Sequence, residues 1–420
     1  MKKLELLAPA GNILKMRTAI SAGADAVYLG IPDFSLRVRI NDFNLESLET
    51  AISEVHAQKK KVYVTLNIFA HNKHVAMLPP YVKKIKSLRP DGLIISDPGV
   101  MATVKKIWPE AEIHLSTQAN CTNAAAAKFW YDAGVTRVVL GREVTLSEIK
   151  EIHKTVPKLE LEYFVHGAMC MAYSGRCFLS KELVDRSGNL GDCAQPCRWE
   201  YSIKARNHVE EFDLVEEEHG TYLLNSKDLC LLEYLPELIE AGIVSFKIEG
   251  RAKSVYYQAV VSGIYARALT FLSQKPEGVA WKKELKYLKS ELVDKLVHRG
   301  YTSGFLLGGK AEQNLTSANH LSEWEFCGQV ITGEKEWFKP TLKAGEYPLY
   351  FQVHNTIKIK DEVEIVGAKY DIIKIRPTKI FDALTGEELS EAHGGGGSRI
   401  ALIIVKTKVS TLSVLRRKII

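Results

Sequence analysis

Five cysteines fall between positions 170 and 230 of this 420-residue chain: Cys170, Cys177, Cys193, Cys197 and Cys230. Cytosolic thiols stay reduced, so such a cluster points to metal binding or catalysis before disulfides. Spacing leaves several chemistries open. Zinc favours paired C-x2-4-C knuckles; the interval from Cys170 to Cys177 is too wide for one, whereas Cys193 and Cys197 have the spacing of the other. A ferredoxin run is absent, but an iron–sulfur cluster held by four widely separated thiolates is compatible. The bland reading is thiols acting as small core hydrophobes, which suits Cys121 and Cys327. A cysteine peptidase would need Cys170 or Cys177 activated by a histidine such as His166. A thiolate committed to iron cannot also be a free nucleophile.

A second set of candidates stands at the ends of short apolar runs: Asn67, Asp97, Ser116, Thr117, Gln118, Arg142, Glu143, His166 and Glu249, with Arg251 just beyond. Taken singly, Asp97 and Ser116 read as helix caps. His166 and Glu249 flank the cysteine segment and are the better catalytic candidates. Arg37 and Arg39 read equally as anion-binding groups or as ion pairs of a loop or edge strand.

The elements that must carry these residues repeat one theme over the first 250 positions. Strands are predicted at Leu4–Ala8, Ala26–Gly30, Lys61–Asn67, Gly92–Asp97, Glu112–Thr117, Arg137–Gly141, Leu161–His166 and Val244–Glu249. Amphipathic segments with helical spacing lie between most of them. Nearly all-apolar strands alternating with helices argue for a parallel sheet covered by helices. Eight such units predict an α/β fold, a TIM-like (β/α)8 barrel, whose chemistry sits on the rim where the strands end. An open doubly wound sheet is the alternative, lowered by the lack of G-x-G-x-x-G after the first strand.

One connection is abnormally long. Residues 167–243 form a cysteine-bearing insertion before the last strand, and long insertions in compact domains are usually functional or disordered. Helical pattern continues through Tyr256–Leu272 and Lys282–Leu296. From Glu323 the chain alternates apolar and polar residues in short runs, predicting a small C-terminal all-β, barrel-like domain. The expected division is 1–322 for the barrel with its trailing helices and 323–420 for the β domain. Arg416, Arg417 and Lys418 read as a solvated basic tail, with a weaker reading as a grip on nucleic acid.

The net charge of +6 permits a polyanionic partner without requiring one. No apolar run approaches the ~20 residues of a membrane helix. The expectation is a cytoplasmic protein with no membrane partner.

The run Glu162-Tyr163-Phe164-Val165-His166-Gly167-Ala168-Met169-Cys170, continued by Ser174-Gly175-Arg176-Cys177-Phe178-Leu179-Ser180, closely resembles the signature of the collagenase-like peptidases, family 32 among peptidases of unknown catalytic type. Glu5-Leu6-Leu7-Ala8-Pro9-Ala10-Gly11, Gly23-Ala24-Asp25-Ala26-Val27-Tyr28, Ser35-Leu36-Arg37-Val38-Arg39, Phe246-Lys247-Ile248-Glu249-Gly250-Arg251 and His298-Arg299-Gly300-Tyr301 extend the resemblance over nearly the whole chain. Within the family the sequence is most similar to the YegQ-like tRNA hydroxylation proteins. The resemblance implies a TIM-like body and prephenate-dependent hydroxylation of the tRNA wobble uridine to 5-hydroxyuridine. It also implies a [4Fe–4S] cluster on Cys170, Cys177, Cys193 and Cys230, with Cys197 as a substitute ligand. On that reading His166, Glu249 and Asn67 are the catalytic candidates, and Arg37, Arg251 and Gln118 bind substrate or prephenate. The family's peptidase description is the alternative activity. Neither H-E-x-x-H nor G-x-S-x-G is present to supply a hydrolytic mechanism.

Overall fold

A computed structural model describes residues 3–36, 42–170, 172, 176–199, 203–204, 211–212, 226–309, 312, 314, 322–394 and 399–419. Arg37 and Arg39 lie outside the described residues. The chain divides into two compact units, one of Met1–Met16, Asp25–Ala252 and His298–His320, the other of Arg17–Ala24, Lys253–Val297 and Leu321–Ile420. Among the described residues no helix is long and apolar enough to cross a membrane.

In the first unit β1 (Glu5–Pro9), β2 (Ala26–Leu29), β3 (Lys61–Leu66), β4 (Gly92–Ile95), β5 (Ile113–Leu115), β6 (Arg137–Val139) and β7 (Glu160–Ala168) pair in sequence order, all parallel. The strand Ile243–Ile248 then pairs with both β7 and β1 and closes the sheet into an eight-stranded barrel. This is the TIM-like architecture expected from the sequence. The strands are buried on both faces because helices cover the outside and side chains fill the inside, which is why they read as near-continuous apolar runs. Local capping fixes where the helices begin. Asn44, Asp97, Asn123 and Thr145 each accept a backbone N–H three residues on, so Asp97 is the helix cap it was read to be.

The barrel interior is not uniformly apolar. Leu7, Ala26, Tyr28, Tyr63 and Ile94 form one buried cluster. Below it Arg137 donates to Glu5 and to Glu162 Oε2 (3.2 Å), Tyr63 Oη donates to Glu5 Oε2 (2.6 Å), and Ser245 Oγ bridges Glu5 (2.9 Å) and Glu162 (3.1 Å). Buried charges persist only when paired and hydrogen-bonded, and here each carboxylate meets a cation or hydroxyl donor.

The insertion begins where β7 ends. Its strand Asp228–Cys230 returns antiparallel to β7, with Cys230 in register with His166, and the two-residue strand Tyr301–Thr302 adds to its outer edge.

The second unit holds the helices Val255–Ser273 and Gly278–Lys295 and an eight-stranded antiparallel sheet. The sheet's order runs Ile372–Ile375, Val363–Val366, Val414–Lys418, Trp324–Val330, Tyr347–Val353, Ile400–Val405, Ile380–Asp382, Glu388–Leu389. Phe351, Val353, Ile365, Ile403 and Leu415 are central to its core. The tail reading of Arg416 and Arg417 is corrected here: both lie in a central strand. Arg416 is 0% exposed and donates to Glu364, Glu291 and Tyr370, while Arg417 pairs with Glu325 and Asp361. Their charges are spent within the unit, so neither is available to a polyanion.

Candidate active site

The C-terminal ends of the barrel strands open on one cavity of about 170 Å³. Asn67 reaches it from the end of β3, Ser116 and Gln118 from β5, Arg142 from β6, Cys170 from β7, and Lys247, Glu249 and Arg251 from the closing strand and the turn after it. The insertion supplies Cys177, Cys193, Cys197 and Arg198. Of the residues placed at the strand ends by the sequence, Asn67, Ser116, Thr117, Gln118, Arg142, Glu249 and Arg251 line this cavity, whereas Asp97, Glu143 and His166 do not.

Several lining residues are held in place by others. Asn67 Nδ2 donates to Gln118 Oε1 (3.2 Å), and its Oδ1 accepts the Leu36 N–H (3.2 Å). Ser116 bonds Gln118, so it joins this group and not a helix cap. Arg251 donates to Ser35 Oγ (2.7 Å) and to the Leu36 carbonyl, pinning the loop that leads to Arg37. Arg142 packs its guanidinium 3.8 Å from the centroid of Phe164, and Lys247 Nζ lies 4.4 Å from that of Tyr28.

Four of the five clustered thiols, Cys170, Cys177, Cys193 and Cys197, line this cavity. The insertion holds them through local bonds: Asn189 Oδ1 accepts the Cys177 N–H (3.3 Å), Ser180 Oγ accepts the Ala194 N–H (2.9 Å), and Cys193 Sγ accepts the Gln195 N–H (3.3 Å). Burial, together with the neighbouring sulfurs of Cys170, Cys193 and Cys177, pushes the Cys197 thiol up. Cys230 is not among the residues lining the cavity; it is half-buried at the end of its strand, beside Tyr301. None of the seven cysteines forms a disulfide. Cys121 is buried in the core, where desolvation pushes its thiol up to about 11, and Cys327 is buried likewise.

The donor set suits iron in kind, because soft thiolates gather where no other soft ligand competes. Its spacing is wider than a ligand shell: among the described residues no three His, Cys, Asp or Glu side chains stand close enough to hold a metal ion.

His166 is buried but does not line the cavity. Between Phe164 and His166 strand β7 carries an extra residue against Lys247 and Ile248. That bulge re-aims His166, whose ring lies 5.5 Å from Tyr301; Tyr301 in turn stacks on His298 at 4.2 Å. Among the described residues no histidine lines the cavity, so no Cys–His pair is assembled there. Sequence reasoning missed Lys247, Arg198 and the Glu162 that pairs with Lys247. The signal for the first was the alternation Ser245-Phe246-Lys247-Ile248, in which every second residue is polar in an otherwise buried strand.

The profile of peptidase family U32 matches residues 11–316. The chain is 42% identical over 415 residues to the tRNA hydroxylation protein P of Escherichia coli K12, covering 89% of this chain and 88% of that one. It is 42% identical over 432 residues to the tRNA hydroxylation protein P of Helicobacter pylori strain 26695, with both chains covered in full. It is 32% identical over 429 residues to a protein named collagenase from Porphyromonas gingivalis, covering 98% and 97%. With a family profile matched over most of its length and full-length relatives above 40% identity, the chain belongs to peptidase family U32.

Proposed function

We propose that this chain is a tRNA-modifying enzyme. It hydroxylates the wobble uridine to 5-hydroxyuridine, with prephenate as co-substrate and a [4Fe–4S] cluster as cofactor. The observation that carries the reading is the meeting of four cysteine thiols with Arg142, Arg198, Lys247 and Arg251 in one rim cavity, in a chain so similar to proteins named for tRNA hydroxylation. The cations suit a carboxylate-bearing co-substrate, and guanidinium groups bind carboxylates in bidentate fashion. A wobble uridine lies in an unpaired loop, so its base enters a pocket without the cost of breaking a duplex.

Cys170, Cys177 and Cys193 would hold the cluster, with Cys230 or Cys197 as the fourth ligand; the cluster supplies redox chemistry. The remaining roles belong to the protein's own polar groups. Arg142 and Arg198 hold the co-substrate's carboxylates, and Arg251 fixes the loop over the cavity through Ser35 and Leu36. Asn67 and Gln118, already bonded to each other, present an amide edge to the polar edge of the base.

The peptidase reading requires a nucleophile and its base in one place. Among the described residues no histidine lines the cavity, so the Cys–His pair of a cysteine peptidase is not assembled there.

The test is mass spectrometry of tRNA nucleosides from a deletion strain complemented with this chain or with Cys170→Ala. Restoration of 5-hydroxyuridine-type nucleosides by the first and not the second is expected. Their unchanged level in the deletion strain, in the absence of a paralogue, overturns the reading. Anaerobic purification should yield a brown protein whose visible absorbance is lost in Cys170→Ala.

A further inference from the structure

The reading above leaves Lys247, the most enclosed cation of the cavity, without a chemical task. Its side chain is 5% exposed and Nζ lies 2.7 Å from Oε1 of Glu162, which is 0% exposed. The ring centroids of Tyr28 and Phe164 stand 4.4 Å and 5.4 Å from Nζ. The amine therefore sits on the cavity wall between two aromatic faces with a carboxylate at proton-transfer distance. Arg142 packs on the same ring, its guanidinium 3.8 Å from the Phe164 centroid, and lines the same cavity. Burial lowers the lysine's proton affinity and Glu162 opposes that; the net shift is downward. A lysine desolvated in this way is a stronger nucleophile than one in water.

An amine, a proton-shuttling carboxylate and a guanidinium for a carboxylate are the groups that imine formation with a 2-oxo acid needs. We propose that Lys247 condenses reversibly with the ketone carbon of a small 2-oxo acid whose carboxylate is held by Arg142. The Lys247–Glu162 ion pair is the resting form, and Lys247 reacts as the free amine when its proton passes transiently across the 2.7 Å contact to Glu162. Nitrogen bonds to the carbonyl carbon, and the displaced π pair leaves the oxygen to take up a proton. Glu162 then takes a proton from nitrogen and returns one to the departing hydroxyl, so the products are the iminium and one water. No electrons are exchanged. The proposal rests on the co-substrate part of the reading above, prephenate being itself a 2-oxo acid, and it uses none of the iron–sulfur chemistry.

The full-length chain is incubated near neutral pH with phenylpyruvate or prephenate and sodium cyanoborohydride, digested and mapped by mass spectrometry. The reduced adduct is expected on the peptide carrying Lys247, at an occupancy on the order of tenfold above that on exposed Lys283, and absent from Lys247→Arg. Thermal unfolding with each acid, without reductant, is measured in parallel. A ligand-induced rise in melting temperature with no adduct at Lys247 overturns imine formation and leaves the co-substrate reading standing. No adduct and no rise with either acid overturns both. Adduct spread evenly over the lysines also overturns the proposal. Because the mapping uses the unmodified protein, poor folding of a Lys247 variant does not compromise it.

Discussion

The carbonyl oxygen of Glu249 lies 2.5 Å from where a Cβ on Gly167 would stand, and Gly167 has φ of +113°. This contact brings the start of the cysteine insertion against the turn that carries Glu249 and Arg251. No side chain fits there, and the backbone conformation is one that L-residues rarely adopt. Gly167→Ala should cost about 2–4 kcal/mol by combining that strain with the clash. The urea midpoint is the measurement; an unchanged midpoint would mean that the turn moves aside freely.

Arg251 ties its loop to the cavity by bonds to Ser35 and Leu36. Arg251→Ala removes charge-assisted hydrogen bonds worth about 1.5–3 kcal/mol each at most. Hydrogen exchange at Phe34, Ser35 and Leu36 should accelerate while exchange in β5 and β6 stays slow. Uniform acceleration throughout the barrel would instead point to a global loss of stability.

Arg416 and Glu364 form the buried centre of the second unit, and removing Arg416 takes the guanidinium from both Glu364 and Glu291, leaving them to share the Lys295 amine. Arg416→Met should destabilise that unit by about 3–5 kcal/mol. The double change Arg416→Met with Glu364→Leu should recover part of the loss, because replacing a buried pair with apolar groups is often neutral. Calorimetry of both variants reads the difference, and a double variant less stable than the single one would contradict it.

Acid sensitivity follows from the buried carboxylates. Burial pushes Glu162 and Glu364 up, yet Lys247 and Arg137 for the first, and Lys295 and Arg416 for the second, bring both below the ordinary range. A carboxylate depressed in the folded state contributes stability that is complete above its unfolded value, about 4.3, and lost as pH falls through the folded value. The urea midpoint should therefore vary little with these groups above about pH 5 and fall below about pH 4. Glu364→Gln should flatten that acid limb, and an identical limb in the variant would assign the loss to other groups.

Most of the barrel was legible because parallel strands covered on both faces read as unbroken apolar runs; the eight predicted strands fall within a residue or two of the observed ones. The polar interior was not. Glu5, Glu162 and Lys247 alternate with apolar neighbours, and a period of two does not say whether the polar face meets water or the axis of a barrel. The same ambiguity turned Arg416 from a strand residue into a tail in the sequence reading. His166 was placed at the rim by its position, and one bulge turned it toward Tyr301. The gathering of Cys170, Cys177, Cys193 and Cys197 depends on how the insertion folds back, which spacing alone does not encode.

That separation of thiols by place, and not by spacing, sets the last expectation. Cys121 and Cys327 are core residues, so Cys121→Ala and Cys327→Ala should keep full iron content after anaerobic reconstitution. Cys170→Ala, Cys177→Ala and Cys193→Ala should each lose most of it, since a four-thiolate cluster deprived of one ligand is labile. Cys197 lines the cavity with those three, whereas Cys230 stands beside Tyr301. Iron and sulfide analysis of Cys197→Ala against Cys230→Ala therefore identifies the fourth ligand. Loss confined to Cys197→Ala would mean that the thiols close up around the cavity they already line. Loss confined to Cys230→Ala would mean that the cluster is bridged to the insertion's own strand antiparallel to β7, so that binding iron must bring the cavity-lining part of the insertion to that strand.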